Sequence, residues 1–296
     1  GVVTTAKGKS ERFHAGVVVD ATGDGDVGYL AGAEIVEGRE EDGVHMPVSL
    51  VFAIGGADVD RFLDYRAGNP EAYQSTLDQA ASDGYLIAPW YGFDRSTVPG
   101  VLSVNNGAWV DLGSIDATSA RELTLAERFG AQLAVDFVRL ARAKKIPGLE
   151  SCHLIRTGAE VGVRDTRRVM GEYLQTVEDA RDGAEFDDVI CRKYGAIDAN
   201  QLFIGAMSSG FAYPYRSLLP RGVENLLMAG RCASATFLGH AAGKSMGNMM
   251  GLGQAAGVAA ALCAAKGLSP REIDVALVQD FLSSMGVDVR RREKTY

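Results

Sequence analysis

Val17-Val18-Val19-Asp20-Ala21-Thr22-Gly23-Asp24-Gly25-Asp26-Val27-Gly28 is the stretch on which the reading of the fold turns. Three consecutive β-branched residues predict a short strand buried on both faces, the pattern of a parallel-type sheet. The glycines break that strand, and a short helix is expected over 26–33. Gly23 to Gly28 formally matches GxGxxG behind a strand, the spacing of a dinucleotide-binding turn. That fingerprint also needs a long helix whose first amides hold a pyrophosphate, and then a second strand. Here the helix has no room beyond Gly32, and Asp24 and Asp26 would set two negative side chains beside a negative ligand. The stretch is therefore read as a sharp strand-to-helix turn, either bordering a cofactor or purely structural, rather than as a primary pyrophosphate loop.

Working outward, residues 1–20 read as a β-meander, with a strand over 1–5, a turn at Lys7-Gly8-Lys9 and a second strand over 13–21. From Glu34 to Pro214 the pattern changes. A strand is expected over 46–54, helices over 58–66 and 70–82, and aromatic, turn-rich β structure from Trp90 to Trp109. A long helix over 120–145 opens on Ser119 and Glu122 in capping-box spacing. It repeats Ala126, Phe129, Leu133, Phe137 and Leu140 at helical intervals and stops at Pro147-Gly148. Near Leu218 the earlier pattern returns: Asn225-Leu226-Leu227-Met228-Ala229-Gly230 reads as a buried strand ending in glycine. A glycine-to-alanine helix over 246–265 follows, then an amphipathic helix over 269–285 with Pro270 in its first turn. This order predicts an α/β chain in which a discontinuous cofactor domain, 1–33 and 215–268, receives an inserted α+β substrate domain, 34–214. A C-terminal helix and tail occupy 269–296. A single open sheet fits less well, because residues 85–115 carry too little helical pattern for βαβ units.

Composition narrows the function classes. With 296 residues and 47% apolar content the chain can bury a large core. A net charge of −8 with no basic block argues against nucleic acid as a partner. Cys152, Cys191, Cys232 and Cys263 are far apart and unpaired by any CxxC spacing, so reduced thiols are expected and no metal site is assigned. The apolar run 249–265 is interrupted by Gln254 and falls short of the roughly 20 strongly apolar residues of a membrane span. A helix buried on a sheet is expected there, with no membrane insertion. No secretory signal precedes the first strand, but Gly1 is not an initiator and the true N-terminus is expected to be missing. That absence therefore says little about location, and a cytoplasmic one is kept as the expectation.

Leu238-Gly239-His240-Ala241-Ala242-Gly243-Lys244-Ser245 comes near a phosphate-binding GxxxxGK[ST] loop but has leucine where its first glycine belongs, which excludes it. Four stretches taken together resemble FAD-dependent oxidoreductases with a glutathione-reductase-like flavin domain and an inserted substrate domain. They are Val18 to Asp26; Gly162-Val163-Arg164-Asp165-Thr166-Arg167-Arg168-Val169-Met170-Gly171-Glu172-Tyr173; Leu218-Leu219-Pro220; and Asn225 to Thr236 continuing through Gly251-Leu252-Gly253-Gln254-Ala255-Ala256-Gly257. The resemblance implies an FAD/NAD(P)-binding Rossmann-like domain, with Ala21, Thr22, Gly23 and Asp24 at the strand end beside FAD. It also implies Gly230 and Arg231 near the ribityl and phosphate portion, and the helix from Gly251 aimed at the isoalloxazine. Amides near Gly253, Gln254 and Ala255 would then face the ring edge that gains negative charge on reduction. The family opens with a strand–GxGxxG–helix unit and an acidic ribose ligand, and neither can be placed here. The domain is thus expected to be incomplete, as a fragment or as a subunit completed by a partner chain.

The implied chemistry is hydride or electron transfer between a small organic substrate and flavin N5. His240 is the leading proton-transfer candidate, against a reading as a hydrogen-bonded loop histidine. His45 and His153 are weaker candidates. Lys244 stands where such proteins often carry arginine, keeping the charge without the bidentate geometry. Arg164, Arg167 and Arg168 form the densest cationic group; they would bind an anionic substrate or a cofactor phosphate, or form a network with Asp165 and Glu172. Catalytic roles are thus assigned to His240, Arg167 and Lys244. The alternatives are a flavin-binding subunit that works only with a partner, or an NAD-dependent enzyme using Gly23–Gly28. Homo-oligomerisation is also compatible with the sequence.

Overall fold

The structure, a computed structural model, describes residues 1–106, 114–199 and 204–290. The chain divides into two compact units, Gly1–Met46 together with Asp165–Tyr296, and Pro47–Arg164. The first unit opens with β1 (Val2–Ala6), β2 (Lys9–Phe13), β3 (Val18–Asp20), α1 (Asp26–Leu30) and β4 (Ile35–Glu37). The second holds β5 (Val51–Gly55), α2 (Val59–Gly68), α3 (Pro70–Ser82), β6 (Gly92–Arg95), β7 (Leu102–Asn105), α4 (Ala120–Ala143) and β8 (His153–Thr157). The chain then adds β9 (Arg167–Val169), α5 (Val177–Asp182), β10 (Val189–Asp198), β11 (Ile204–Pro214) and β12 (Leu226–Met228) to the first unit. Its last helices are α6 (Phe237–Ala241), α7 (Met246–Lys266) and α8 (Val275–Ser284). The fold is α/β. The compact middle unit is shorter than the expected 34–214, because β9 pairs with β4 and β10 carries α7, which draws 165–214 into the first unit.

In the middle unit an antiparallel sheet of order β6-β7-β5-β8 turns Phe52, Ile54, Leu102 and Val104 inward by strict alternation. α4 covers this core with Ala126, Leu133, Phe137 and Leu140 of the predicted stripe and with Ala141, while Phe129 of the stripe is only partly buried against it. Phe137 meets Phe52 edge-on at 5.8 Å between ring centroids, an arrangement that adds to the roughly 1.5–3 kcal/mol of burying each such side chain. Ser119 Oγ accepts from the Glu122 amide as expected. The Glu122 carboxylate instead accepts from the Asp116 amide, so the capping box is not reciprocal. The β structure expected between Trp90 and Trp109 is present as β6 and β7, and residues 107–109 lie outside the described residues.

In the first unit, Lys7 and Gly8 take positive φ of 48° and 76° and join β1 to β2 in a two-residue hairpin. The expected second strand of the meander is two separate pieces: β2 belongs to the hairpin, and β3 pairs in parallel with β12. β10 and β11 form a long antiparallel pair. α7 packs on this unit with Leu252, Ala255, Ala256, Ala259 and Cys263 fully buried, while Met246 and Met250 are largely exposed. At 21 residues, longer than the apolar run in the sequence, α7 is long and apolar enough by length and composition alone to cross a membrane. The last helix starts at Val275 with Asp274 as its cap, not at 269, because Ser269–Glu272 forms its own turn and Pro270 lies outside the helix.

Gly148 ends the loop after α4 at φ 85°, its carbonyl accepting from the Asp58 amide at the start of α2. A β-carbon there would sit 2.5 Å from the Asp58 oxygen and 2.6 Å from the Phe62 nitrogen. Gly148→Ala is expected to lower unfolding free energy by about 3 kcal/mol, measured by urea denaturation; a loss under about 1 kcal/mol would contradict this packing.

Candidate functional site

β3 and β12 run in parallel register, Val18 opposite Leu226 and Asp20 opposite Met228, so the loops after both strands leave from one edge. In open parallel sheets that carboxyl edge is where ligands bind. Asp20 is fully buried there and holds the first loop. Its Oδ1 accepts from the Thr22 amide at 3.0 Å and the Thr22 hydroxyl at 2.8 Å, and its Oδ2 accepts from the Gly28 amide at 2.9 Å. The Asp26 amide in turn donates to Thr22 Oγ1 at 3.0 Å. Gly25, at φ 66°, caps α1, and a side chain at that position would strike Val169 and Cys232. α1 has only five residues, and the Gly28 amide is spent on Asp20, which agrees with setting aside Gly23–Gly28 as a pyrophosphate loop.

The acidic side chains that argued against a ligand are neutralised. Arg231 Nη1 lies 2.9 Å from Asp24 Oδ1, and the Thr166 hydroxyl donates to the same oxygen at 2.7 Å. Arg231 also donates to Thr166 Oγ1 at 3.2 Å, and its guanidinium covers Gly23, where a β-carbon would come within 2.8 Å. Three stretches far apart in sequence, 21–24, 165–168 and 230–231, thus meet in one cluster. Arg167 pairs with Asp26 at 2.7 Å and with Glu37 at 3.4 Å, and stacks over Tyr29.

Arg168 is entirely buried. It donates to Asp165 at 2.5 Å, to the Gly38 carbonyl at 2.6 Å and to the Ala235 carbonyl at 3.0 Å. Glu172 does not join this network; it pairs with Arg271. For Arg168 the structural role expected as one alternative is the observed one. His45 Nδ1 stands 3.5 Å from the other Asp165 oxygen. Burial pushes the Asp165 carboxyl up, but the His45 hydrogen bond and the charges of Arg168 and His240 outweigh it and leave it below the usual range. Because the folded value is depressed, the stabilisation is complete above the ordinary carboxylate range and is lost as pH falls through it.

The three residues expected to be catalytic have separate surroundings. His240 is buried on α6 beside Asp165, and Arg167 is held by Asp26 and Glu37. Lys244 Nζ donates to the Asp198 and Ala241 carbonyls, satisfying the end of α6. The expected donors on α7 shift by more than a turn. The helix begins at Met246, so the amides of Gly251, Gly253, Gln254 and Ala255 are committed to its own ladder. Ala255 is buried in the core and Gln254 turns toward Met285. The amides without intrahelical acceptors are those of Met246, Gly247 and Asn248, and the Ser245 cap makes no side-chain bond to them.

A cavity of about 570 Å³ is lined by Glu40, Val177, Thr236, Phe237 and Leu238, among others, at the start of α6. Its size is that of a small-molecule site. Asp20, Thr166 and the buried Lys193 of β10 were not among the expected site residues. Asp20 ends a β-branched run two residues before Thr22, an Asx-turn spacing that signals its role. Thr166 and Lys193 carry no such local signal, since long-range pairing places them.

Asp20→Ala would leave the buried Gly28 amide without an acceptor. The expected loss is about 3 kcal/mol of stability, with faster hydrogen exchange at the Thr22 and Gly28 amides. Unchanged exchange there would mean Asp20 does not hold the loop.

Comparison with curated proteins and with solved structures finds no match to this chain. The family model described as FAD dependent oxidoreductase matches residues 1–282, which takes in both loops of the parallel edge and all of α7. The chain belongs to the FAD-dependent oxidoreductase family.

Proposed function

We propose that the protein transfers hydride or electrons between a small organic substrate and the N5 atom of FAD. The observation that carries this reading is the Asp24–Thr166–Arg231 cluster at the carboxyl edge of β3 and β12. It leaves a held cation and open backbone at the place where a parallel sheet takes a ligand. The residues present fit the cofactor. A β-carbon on Gly230 or Gly247 would meet nothing within 4 Å, so backbone at both positions is open to a flat ligand. Gly230 and Arg231 would hold the ribityl and phosphate portion. The first amides of α7 would face the ring edge that becomes negative on reduction. When bound, the flavin supplies the two-electron chemistry.

The chain's own residues then bind and orient. The cavity beside α6 would take the substrate, lined by the apolar Val177, Phe237 and Leu238 together with the charged Arg39, Glu40 and Glu41. His240, buried on α6 with Asp165 beside it and not among the residues lining that cavity, is the group that would hold a proton. Lys244 is occupied by two backbone carbonyls, which removes support for substrate binding by its ammonium. The pyrophosphate still needs a binding unit, because the Gly28 amide is committed to Asp20. An upstream segment or a partner chain would supply it, with residues 47–164 as the substrate-domain insert. This also weighs against an NAD-dependent enzyme built on Gly23–Gly28.

The complete protein is expected to purify with flavin absorbance in the visible, and Arg231→Ala to retain about tenfold less flavin, the loss of one charge-assisted contact. Failure of the complete wild-type protein to take up FAD at saturating concentration would overturn the reading. Flavin absorbance that appears only when a second chain co-purifies would favour the split-subunit form.

A further inference from the structure

Lys193 is a charged side chain that the proposed chemistry does not yet use. It lies in the middle of β10 and is 2% exposed. Arginines of this unit with largely buried side chains have carboxylates: Arg168 has Asp165, and Arg192 has Glu185 at 2.5 Å. Among the described residues the Lys193 ammonium has neither an ion pair nor a hydrogen bond. Its ammonium sits 4.0 Å above the centre of the Tyr213 ring, and the remaining titratable neighbour is the Cys191 thiol on its own strand. A buried ammonium without an anion is costly, and a ring face offsets only part of that cost.

Its position is specific. A β-carbon on Gly243 would come within 2.9 Å of Lys193 Nζ and 2.5 Å of its Cδ, so the chain lies directly on the lysine just before Ser245 caps α7. The neighbouring residue of β10 is bound to the helix's first turn: the Tyr194 amide donates to Asn248 Oδ1, and Asn248 Nδ2 donates to the Tyr194 carbonyl. On the other side, Tyr213 donates through its hydroxyl to the Ser234 carbonyl, in the loop that begins at Gly230-Arg231. Among the described residues an unpaired cation therefore lies against Gly243, three residues before α7 begins, and over Tyr213, whose hydroxyl holds the loop that follows β12. That loop and the start of α7 both offer open glycine backbone, at Gly230 and Gly247.

We propose that Lys193 is the charge partner of an anionic ligand edge bound at the start of α7, and that it raises the electron affinity of the bound flavin by stabilising its negative reduced form. This rests on the flavin reading above and adds to it the residue that tunes the ring. Helix amides supply partial positive charge, and Lys193 supplies a full one from beneath. Burial lowers the amine to about 8, which leaves it charged near neutrality and within reach of a modest change in surroundings. Lys193 acts as a positioning and tuning residue rather than as a proton donor.

The test uses the complete, flavin-loaded protein and its Lys193→Met variant, which keeps the length of the side chain and removes the charge. Sulfite adds to flavin N5 and leaves negative charge on the far ring edge, so its dissociation constant reads the stabilisation directly. Sulfite binding at least about tenfold weaker in the variant, with a lowered reduction potential and unchanged flavin content, is the expected result. Equal sulfite affinity and potential in a fully loaded variant would overturn the role of Lys193 and leave the flavin reading standing. A wild-type protein that takes up no flavin would overturn both. If the methionine variant does not fold, Lys193→Gln is read by the same criteria.

Discussion

The buried carboxylate of Asp20 is the constraint from which the site follows. It ends β3 and accepts from the backbone and hydroxyl of Thr22 on one oxygen and from the Gly28 amide on the other. Each charge-assisted bond of this kind contributes about 1.5–3 kcal/mol, and together they fold residues 21–28 back on the strand. The turn presents Asp24 and Asp26 outward, where Arg231 and Arg167 reach them. Those ion pairs join the turn to the loop after β12 and to β9. The sheet edge, the arginine over Gly23 and the backbone at Gly230 thus share one anchor.

The same accounting changes how the glycine-rich turn is understood. Its resemblance to a dinucleotide fingerprint is one of spacing alone. The amide that would face a phosphate is bonded to Asp20, and the helix behind it is five residues long. α7 has donors to spare, because its cap uses none of them. Arg231, offset by Asp24, the first amides of α7 and the buried Lys193 are the positive groups on which the proposed flavin site draws.

Much of the fold was legible in sequence where one local rule dominated. α3 runs over the expected 70–82, and α4 carries the predicted stripe because a 3.6-residue period survives in any environment. The strand ending at Asp20 and the strand ending at Met228 were readable from runs of apolar residues between glycines. The parallel pairing between them, the return of 165–214 to the first unit and the late start of α8 depend on contacts between distant segments, which leave no periodic trace. The site divides in the same way. Gly23 and Asp24, expected at the end of β3, lie against Arg231 of the loop after β12. The donors of α7 were displaced because glycines draw the eye to Gly251–Gly253, whereas free amides belong to the first turn, at Met246–Asn248. Lys193 reads as an ordinary strand lysine until Gly243 and Tyr213 are seen to enclose it.

The most direct test of the account is a crystal structure of the complete protein with FAD bound. It should show the ribityl and phosphate portion against Gly230 and Arg231, the pyrimidine edge of the ring at the amides of Met246–Asn248, and the Gly28 amide still bonded to Asp20. A pyrophosphate seated on the amides of Gly25–Gly28, with Asp20 released from them, would contradict it.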